Sequence, residues 1–303
     1  MASVIQFSSV SKHFGETEAV RGISFHVDPG EVVGFVGPNG AGKTTTISMM
    51  LGFIHPSHGT IKLLGSHIVR PENAHASHRS IGYAAGDMAL FDNLTGKQYL
   101  DFMAHRNGCE RTVRARLDKR LGPQLDKRLK HLSRGNKQKV ALIAALQHDP
   151  ELIIMDEPTS GLDPLMQETF LNIVREEADR GATVFMSSHI LSEVARVCDR
   201  VLFMKKGRII SDEATTDIEK NAGKLIHLYG DAAQLKLLKM TAPETAVVLA
   251  HENGKLSLRY DDDIHTALRW LANKRFRDVD IENRQLDDIF KSLYADENGE
   301  QKS

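Results

Sequence analysis

Short apolar runs alternate with stretches of helical spacing from the N-terminus to about residue 210. Val32-Val33-Gly34-Phe35-Val36-Gly37 is an unbroken apolar run entering a glycine-rich loop, the pattern of a strand covered on both faces. Residues 151–155 (ELIIM) and 182–188 (ATVFMSS) have the same texture. Residues 24–31 (SFHVDPGE) place a further strand just before a turn at Asp28-Pro29-Gly30. Strands alternating with helices predict α/β architecture. Residues 88–147 differ: rich in Leu, Arg, Lys and Gln, with few β-branched runs, they predict a mostly helical insertion.

Beyond about residue 215 the texture changes again. Residues 224–230 (KLIHLYG) read as a strand and 231–240 (DAAQLKLLKM) as a helix. Residues 245–260 read as a hairpin turning at Asn253-Gly254, a dipeptide suited to the positive φ of a two-residue turn. Ile264, Ala267, Leu268 and Leu271 fall on one helical face, residues 278–282 alternate as a strand, and Leu286, Ile289, Phe290 and Leu293 repeat the helical spacing. This β-α-β-β-α-β-α order predicts a small α+β (ferredoxin-like) unit over residues 218–297, with 298–303 as a tail. Asp261-Asp262-Asp263 reads as a solvated cap for the helix at 264 in preference to a metal site.

Composition narrows the class. The 303 residues, 41% hydrophobic and 26% charged, exclude wholesale disorder. Thirty-nine basic residues against forty acidic ones leave a net charge of −1, so no nucleic-acid partner is expected. The two cysteines, Cys109 and Cys198, form no disulfide framework and fit a reducing compartment. No apolar run reaches the length of a membrane span, and the N-terminus lacks a signal-peptide pattern. The expectation is a cytoplasmic protein, at most peripheral to a membrane.

Chemistry enters at residues 37–44. Gly37-Pro38-Asn39-Gly40-Ala41-Gly42-Lys43-Thr44 fits G-x-x-x-x-G-K-[ST] at every fixed position, and Thr45 continues it. Glycines let the backbone turn its N–H groups toward phosphate oxygens, and the following helix adds its positive end. Lys43 is expected to reach the β- and γ-phosphates, and the Thr44 hydroxyl to bind Mg²⁺. Downstream, the run 152–155 ends in Asp156 and Glu157. At the end of a parallel strand, Asp156 can hold the metal through water and Glu157 can polarise an attacking water. Alone, such a pair is also compatible with a strand end that caps a helix. The phosphate loop occurs once, so the chain carries one nucleotide-binding unit.

The remaining motifs carry a resemblance. Leu132-Ser133-Arg134-Gly135-Asn136-Lys137-Gln138 precedes a helix, DEPTSGLDP (156–164) follows the apolar strand, and SSH (187–189) ends the next one at His189. In this order, over about residues 3–215, they resemble the nucleotide-binding domain of ATP-binding-cassette (ABC) transporters. The C-terminal unit looks like the accessory domain of drug, bacitracin or sodium exporter ATPases. The resemblance implies a P-loop NTPase fold, an ABC domain over residues 1–215 with its helical subdomain at 88–147, and ATP and Mg²⁺ as cofactors.

The implied roles attach to particular residues. Phe14 stands where the family has an aromatic that stacks on adenine; a core phenylalanine is the lesser alternative. Ser133, Gly135 and Asn136 match the signature loop, which contacts the γ-phosphate held by a second subunit. Arg134 and Asn136 depart from the commonest LSGGQ pattern in a way that drug- and polymer-exporting relatives share. Asp163 matches the loop coupling two ATP sites, although an Asp before Pro164 is also an ordinary helix cap. His189 matches the histidine that contacts the γ-phosphate and orients water, which makes Lys43, Glu157 and His189 the expected catalytic set. One position departs: Gly86 stands where a glutamine normally touches Mg²⁺ and relays the nucleotide state, which leaves two alternatives, Asp87 as a substitute or coupling through the backbone of the loop. The implied partners are ATP, a second copy of the chain and an integral membrane permease, with the chain peripheral on the cytoplasmic face and working as an exporter ATPase. The alternative is a soluble cassette ATPase acting on ribosomes or DNA. Ribosome-acting relatives usually carry two cassettes, and DNA-repair relatives separate the motifs by a long coiled coil, neither of which fits this chain. The cargo is chosen mainly by the permease and is not written in these residues.

Overall fold

The computed structural model describes residues 2–67, 78–86, 89–221 and 223–284, and it divides into two units after Ala214. The first unit begins with β1 (Ile5–Phe14), β2 (Thr17–Val27), β3 (Val32–Val36), α1 (Lys43–Met50), β4 (His58–Leu63), β5 (Ser66–His67) and β6 (Ile81–Ala85). It continues through α2 (Gly96–Asn107), α3 (Arg111–Leu121), α4 (Arg134–Leu146), β7 (Leu152–Asp156) and α5 (Pro164–Asp179). β8 (Thr183–Ser188), α6 (Leu191–Ala195), β9 (Arg200–Lys205) and β10 (Arg208–Ala214) complete it.

Six strands form the central sheet in the order β10-β9-β3-β8-β7-β6. All pairs are parallel except β10 with β9. Every residue of β3, β7 and β8 is buried, which explains why these strands read as continuous apolar runs and not as alternating ones. One face of this sheet packs on α1 and on a smaller antiparallel sheet, β2-β1-β4-β5. Phe25 of β2 stacks on Phe185 at 5.8 Å between centroids, and Phe185 meets Phe35 at 5.3 Å. The parallel order brings the ends of β3, β8 and β7 side by side, and the candidate chemistry sits at those ends.

The insertion is helical as its composition predicts. Thr95 and Gln98 form a reciprocal capping box at the start of α2. Glu110 caps α3, which stops at Gly122 in the left-handed conformation. Ser133 caps α4, accepting the Asn136 N–H. α3 is tied to α5 by Arg116–Glu177 and Arg120–Glu176 ion pairs, both 2.5 Å.

The second unit contains α7 (Thr215–Asn221), β11 (Lys224–Tyr229), α8 (Ala232–Met240), β12 (Ala246–Glu252), β13 (Lys255–Tyr260), α9 (Ile264–Ala272) and β14 (Asp278–Asn283). Its sheet order, β12-β13-β11-β14, is antiparallel throughout and is the ferredoxin-like arrangement. Asn253 (φ 50°) and Gly254 (φ 74°) make the hairpin turn between β12 and β13. Ile226, Leu228, Leu256, Leu258 and Tyr260 from the sheet meet Leu235, Leu238, Ala267 and Leu271 from α8 and α9 in one core. Asp263 caps α9 by accepting the His265 N–H, and no metal-binding cluster of acids, histidines and cysteines occurs among the described residues. The helical spacing at Leu286, Ile289, Phe290 and Leu293, and the tail at 298–303, lie outside the described residues.

Candidate functional site

The phosphate-loop motif forms the turn between β3 and α1. Gly42 begins the helix with φ 110°, and a Cβ there would stand 2.6 Å from the Ala19 carbonyl oxygen. Only glycine accepts both conditions. The loop therefore bends tightly over β2 and delivers Lys43, only 5% exposed, to its inner side. Lys43 Nζ donates to the carbonyl oxygens of Gly37 (2.6 Å) and Pro38 (3.3 Å). Asn39, Gly40, Gly42, Lys43, Thr44 and Thr45 line a cleft of ≈ 200 Å³ together with Ala19 and Glu157. Ala41 is buried beneath the loop, its N–H donating to the Pro38 carbonyl.

The acids come from the end of β7. Asp156 is 7% exposed and accepts the Ser187 hydroxyl at Oδ1 (2.5 Å). Glu157, the next residue, has φ 50°, a backbone conformation uncommon for a residue with a side chain. That bend turns its carboxylate toward the cleft. Oε1 lies 3.5 Å from Lys43 Nζ, and Oε2 lies 3.0 Å from Nδ1 of His189, the residue following β8. One carboxylate thus bridges a buried ammonium and a half-exposed imidazole. Lys43, Glu157 and His189, remote in sequence, form one contiguous set, and Asp156 joins it through Ser187.

Other candidates lie apart from this cleft. Phe14, at the end of β1, is 50% exposed, so it is not a core phenylalanine; Lys12 Nζ lies over its ring at 5.0 Å. Ser133, Gly135 and Asn136 form the start of α4 and sit against the segment that follows Glu157. Arg134 donates to Ser160 Oγ (2.8 Å), a Cβ on Gly135 would approach the Gly161 carbonyl to 2.9 Å, and buried Gln138 donates to the Pro158 carbonyl (2.8 Å). Asp163 caps α5, accepting the Met166 N–H. Within one chain, neither the signature residues nor Asp163 line the phosphate cleft.

Gly86 donates its N–H to the Asp156 carbonyl (2.8 Å). A Cβ there would stand 2.7 Å from the Glu157 carbonyl oxygen and 3.1 Å from Ser160 Cβ. The position is filled by backbone, and Asp87 lies outside the described residues. Beside β6, a groove of ≈ 200 Å³ is lined by Leu51, Phe53, Tyr83, Tyr99, Arg106 and His148, among others. Burial and the Asp156 charge push the Tyr83 phenol up to about 12. Burial holds the His148 imidazole below its ordinary value; its Nε2 meets the Ile81 carbonyl at 3.2 Å, and its Nδ1 is buried with no hydrogen-bond partner.

Sequence reasoning gave no role to Ser187 and Gln138, which it met only as members of motifs, nor to Tyr83. Their roles arise from neighbouring strands and helices that are distant in the chain, and the only local signal was the polar end of an otherwise apolar run at 187–188.

Comparison with known proteins agrees with this geometry. The family model described as "ABC transporter" matches residues 20–160. A shorter match, residues 128–195, is to a model described as "AAA domain, putative AbiEii toxin, Type IV TA system". The chain is 33% identical to a Nod factor export ATP-binding protein I of Burkholderia pseudomallei, over 95% of this chain and 96% of that protein. It is 34% identical to the bacitracin transport ATP-binding protein of Enterococcus faecalis, over 74% of this chain and 73% of that one. Among solved structures, an ATP-binding subunit of an ABC transporter superposes with TM-score 0.64 at 30% identity, covering 72% of this chain and 92% of that chain. A dimeric ATP-binding cassette bound to ADP and Pi shares the fold with TM-score 0.64 at 23% identity, covering 70% of this chain and 98% of that one. A buried lysine in a phosphate loop, an acid pair at the end of a strand two places along the same sheet and a likeness extending along nearly the whole chain lead to one conclusion: this chain belongs to the ABC transporter family, as one of its ATP-binding, ATP-hydrolysing subunits.

Proposed function

We propose that two copies of the chain close around ATP and drive a separate membrane-spanning permease from the cytoplasmic face, as an exporter. The bridge from Lys43 through Glu157 to His189 carries this reading. A γ-phosphate entering the cleft competes with Glu157 for Lys43 and leaves the carboxylate to act on water. Glu157 then takes a proton from the attacking water, while Lys43 and His189 stabilise the charge that develops on the phosphoryl oxygens. Adenine stacks on Phe14, whose ring is exposed for it. Asp156 and Thr44 suit a hard cation: both offer oxygen, one as a buried carboxylate and one as an exposed hydroxyl beside Lys43. Mg²⁺ held there would neutralise charge on the β- and γ-phosphates.

The signature residues lie outside the cleft of their own chain, which supports a site completed by the Ser133–Asn136 loop of a second copy. ATP then favours the closed pair because its γ-phosphate is fully bound only there. Among the described residues no helix is long and apolar enough to cross a membrane, so a separate permease supplies the path. We assign its docking to the groove beside β6, where Phe53 is exposed. The relatives' names favour transport, and export within it, over a ribosomal or DNA-directed role.

The deciding experiment is Glu157→Gln. Its expected result is loss of multi-turnover ATP hydrolysis with ATP binding retained and an ATP-dependent dimer in light scattering. Near-normal turnover would remove Glu157 from the chemistry.

A further inference from the structure

We infer that Ser187 is a positioning residue for ATP hydrolysis, holding both acids of the site through a single hydroxyl; the inference rests on the assignment of Asp156 and Glu157 above.

Its position follows from the sheet. β8 lies between β3, which leads into the phosphate loop, and β7, which ends in the acids. Ser187 pairs with Phe35 on one side and with Asp156 on the other. It is fully buried, beside Val184, Phe185 and Met186 in a strand whose other polar members, Thr183 and Ser188, lie at its two ends. A hydroxyl placed there is costly unless its hydrogen-bonding capacity is used. Ser187 uses it in both directions. The O–H donates to Asp156 Oδ1 (2.5 Å), and the oxygen accepts the Glu157 N–H (3.1 Å), which the Ser187 carbonyl also accepts at 3.2 Å.

Each contact has its own consequence. Tying Oδ1 fixes the rotation of the Asp156 carboxylate and leaves the other oxygen uncommitted to Ser187. Accepting the Glu157 N–H pins the backbone of a residue held at φ 50°, a conformation that persists only when its surroundings enforce it. The same φ directs Glu157 at Lys43 and His189, so losing the hydroxyl leaves the Glu157 N–H only the Ser187 carbonyl (3.2 Å) and loosens the base as well as the metal ligand. A second buried serine separates the two tasks. Ser188 Oγ accepts the Ile190 N–H (3.0 Å) and stands 3.5 Å from Glu193, which in turn accepts Thr159 Oγ1 (2.8 Å), so it serves the following loop and not the acids.

Alanine at 187 removes one oxygen and both contacts, whereas threonine keeps the hydroxyl in a β-branched form suited to a strand. The test compares Ser187→Ala and Ser187→Thr in the full chain. For Ser187→Ala we expect fluorescent ADP binding without metal within about twofold of wild type, Mn²⁺ affinity of the ADP-loaded protein (by electron paramagnetic resonance) weaker by about 10–100-fold, and a kcat loss of similar size with KM little changed. Ser187→Thr should recover most of the metal affinity. The inference fails if Mn²⁺ affinity in Ser187→Ala stays within twofold of wild type. It also fails if metal-free ADP binding and melting temperature fall together with Mn²⁺ affinity, which would make the serine merely structural. A wild-type protein that binds Mn²⁺ and ADP as expected but turns over no ATP would overturn the proposed function and leave this inference to be decided by the metal titration alone.

Discussion

At the scale of single residues, the site depends on which positions have side chains and which cannot. Lys43 is buried with two carbonyl oxygens and one carboxylate around its ammonium, contacts that offset the cost of taking it out of water. Gly86 is the opposite case. Here the family usually has a glutamine, yet the room for its Cβ is taken by the Glu157 carbonyl oxygen at 2.7 Å. Gly86→Gln should therefore fail to restore the usual pattern. Forcing a Cβ into this contact displaces the backbone of Glu157, the residue we propose as the base, at a cost of about 1–3 kcal/mol. The expected result is lower kcat for both Gly86→Ala and Gly86→Gln, with the larger side chain no better than the smaller. A Gly86→Gln protein more active than wild type in steady-state hydrolysis would show that the position merely lacks its side chain.

At the scale of elements, the two halves of the chain differ in how openly their sequences state the structure. The phosphate loop, the acid pair and the Asn253-Gly254 hairpin were legible because each is a local arrangement of backbone and turn chemistry. The ferredoxin-like sheet followed from regular alternation in short strands. The antiparallel sheet led by β1 was not read, because its pairing with β2 shifts register at several points and the alternation Ile5, Phe7, Val10 breaks there. Ser187 escaped notice for a related reason: β7 and β8 are neighbours in space but are separated in sequence by all of α5. The same helix anchors the insertion. Glu177 is buried on α5 and pairs with Arg116 of α3 and with Arg180, while Glu176 pairs with Arg120. Glu177→Ala leaves partly exposed arginines that can turn to water, so the loss is moderate, about 1–3 kcal/mol. The one tryptophan, Trp270, lies in the other unit and cannot report it. Hydrogen exchange can: amides of α3 should exchange faster by roughly one to two orders of magnitude, while those of β11–β14 stay unchanged. Unaltered protection in α3 would mean that apolar packing alone holds the insertion.

For the whole molecule, the decisive question is whether an ATP site belongs to one chain or to two. Ser133 is exposed and Asn136 partly so; both are fully engaged in local structure, with Asn136 N–H and Nδ2 donating to Ser133 Oγ and Asn136 Oδ1 accepting the Gln124 N–H. Replacing such residues risks the helix start as well as any contact across a dimer. Ser133→Asp avoids that confusion, since aspartate caps a helix as well as serine does but sets a negative charge against an incoming phosphate. Lys43→Ala disables the other half of the site by removing the buried ammonium. If each site combines the phosphate loop of one copy with the signature loop of the other, both variants are inactive alone. Mixed, they form hybrid dimers in which one site draws Lys43 from the Ser133→Asp chain and Ser133 from the Lys43→Ala chain, while the second site has lost both. With random pairing and twofold symmetry, half the dimers are hybrids with one sound site each, so hydrolysis should return to about a quarter of the wild-type rate. If both loops served the same chain, no mixture could contain a sound site and activity would stay at the level of the separate variants. Recovery in the mixture therefore tests the composite site directly, by a route that needs neither the permease nor its cargo.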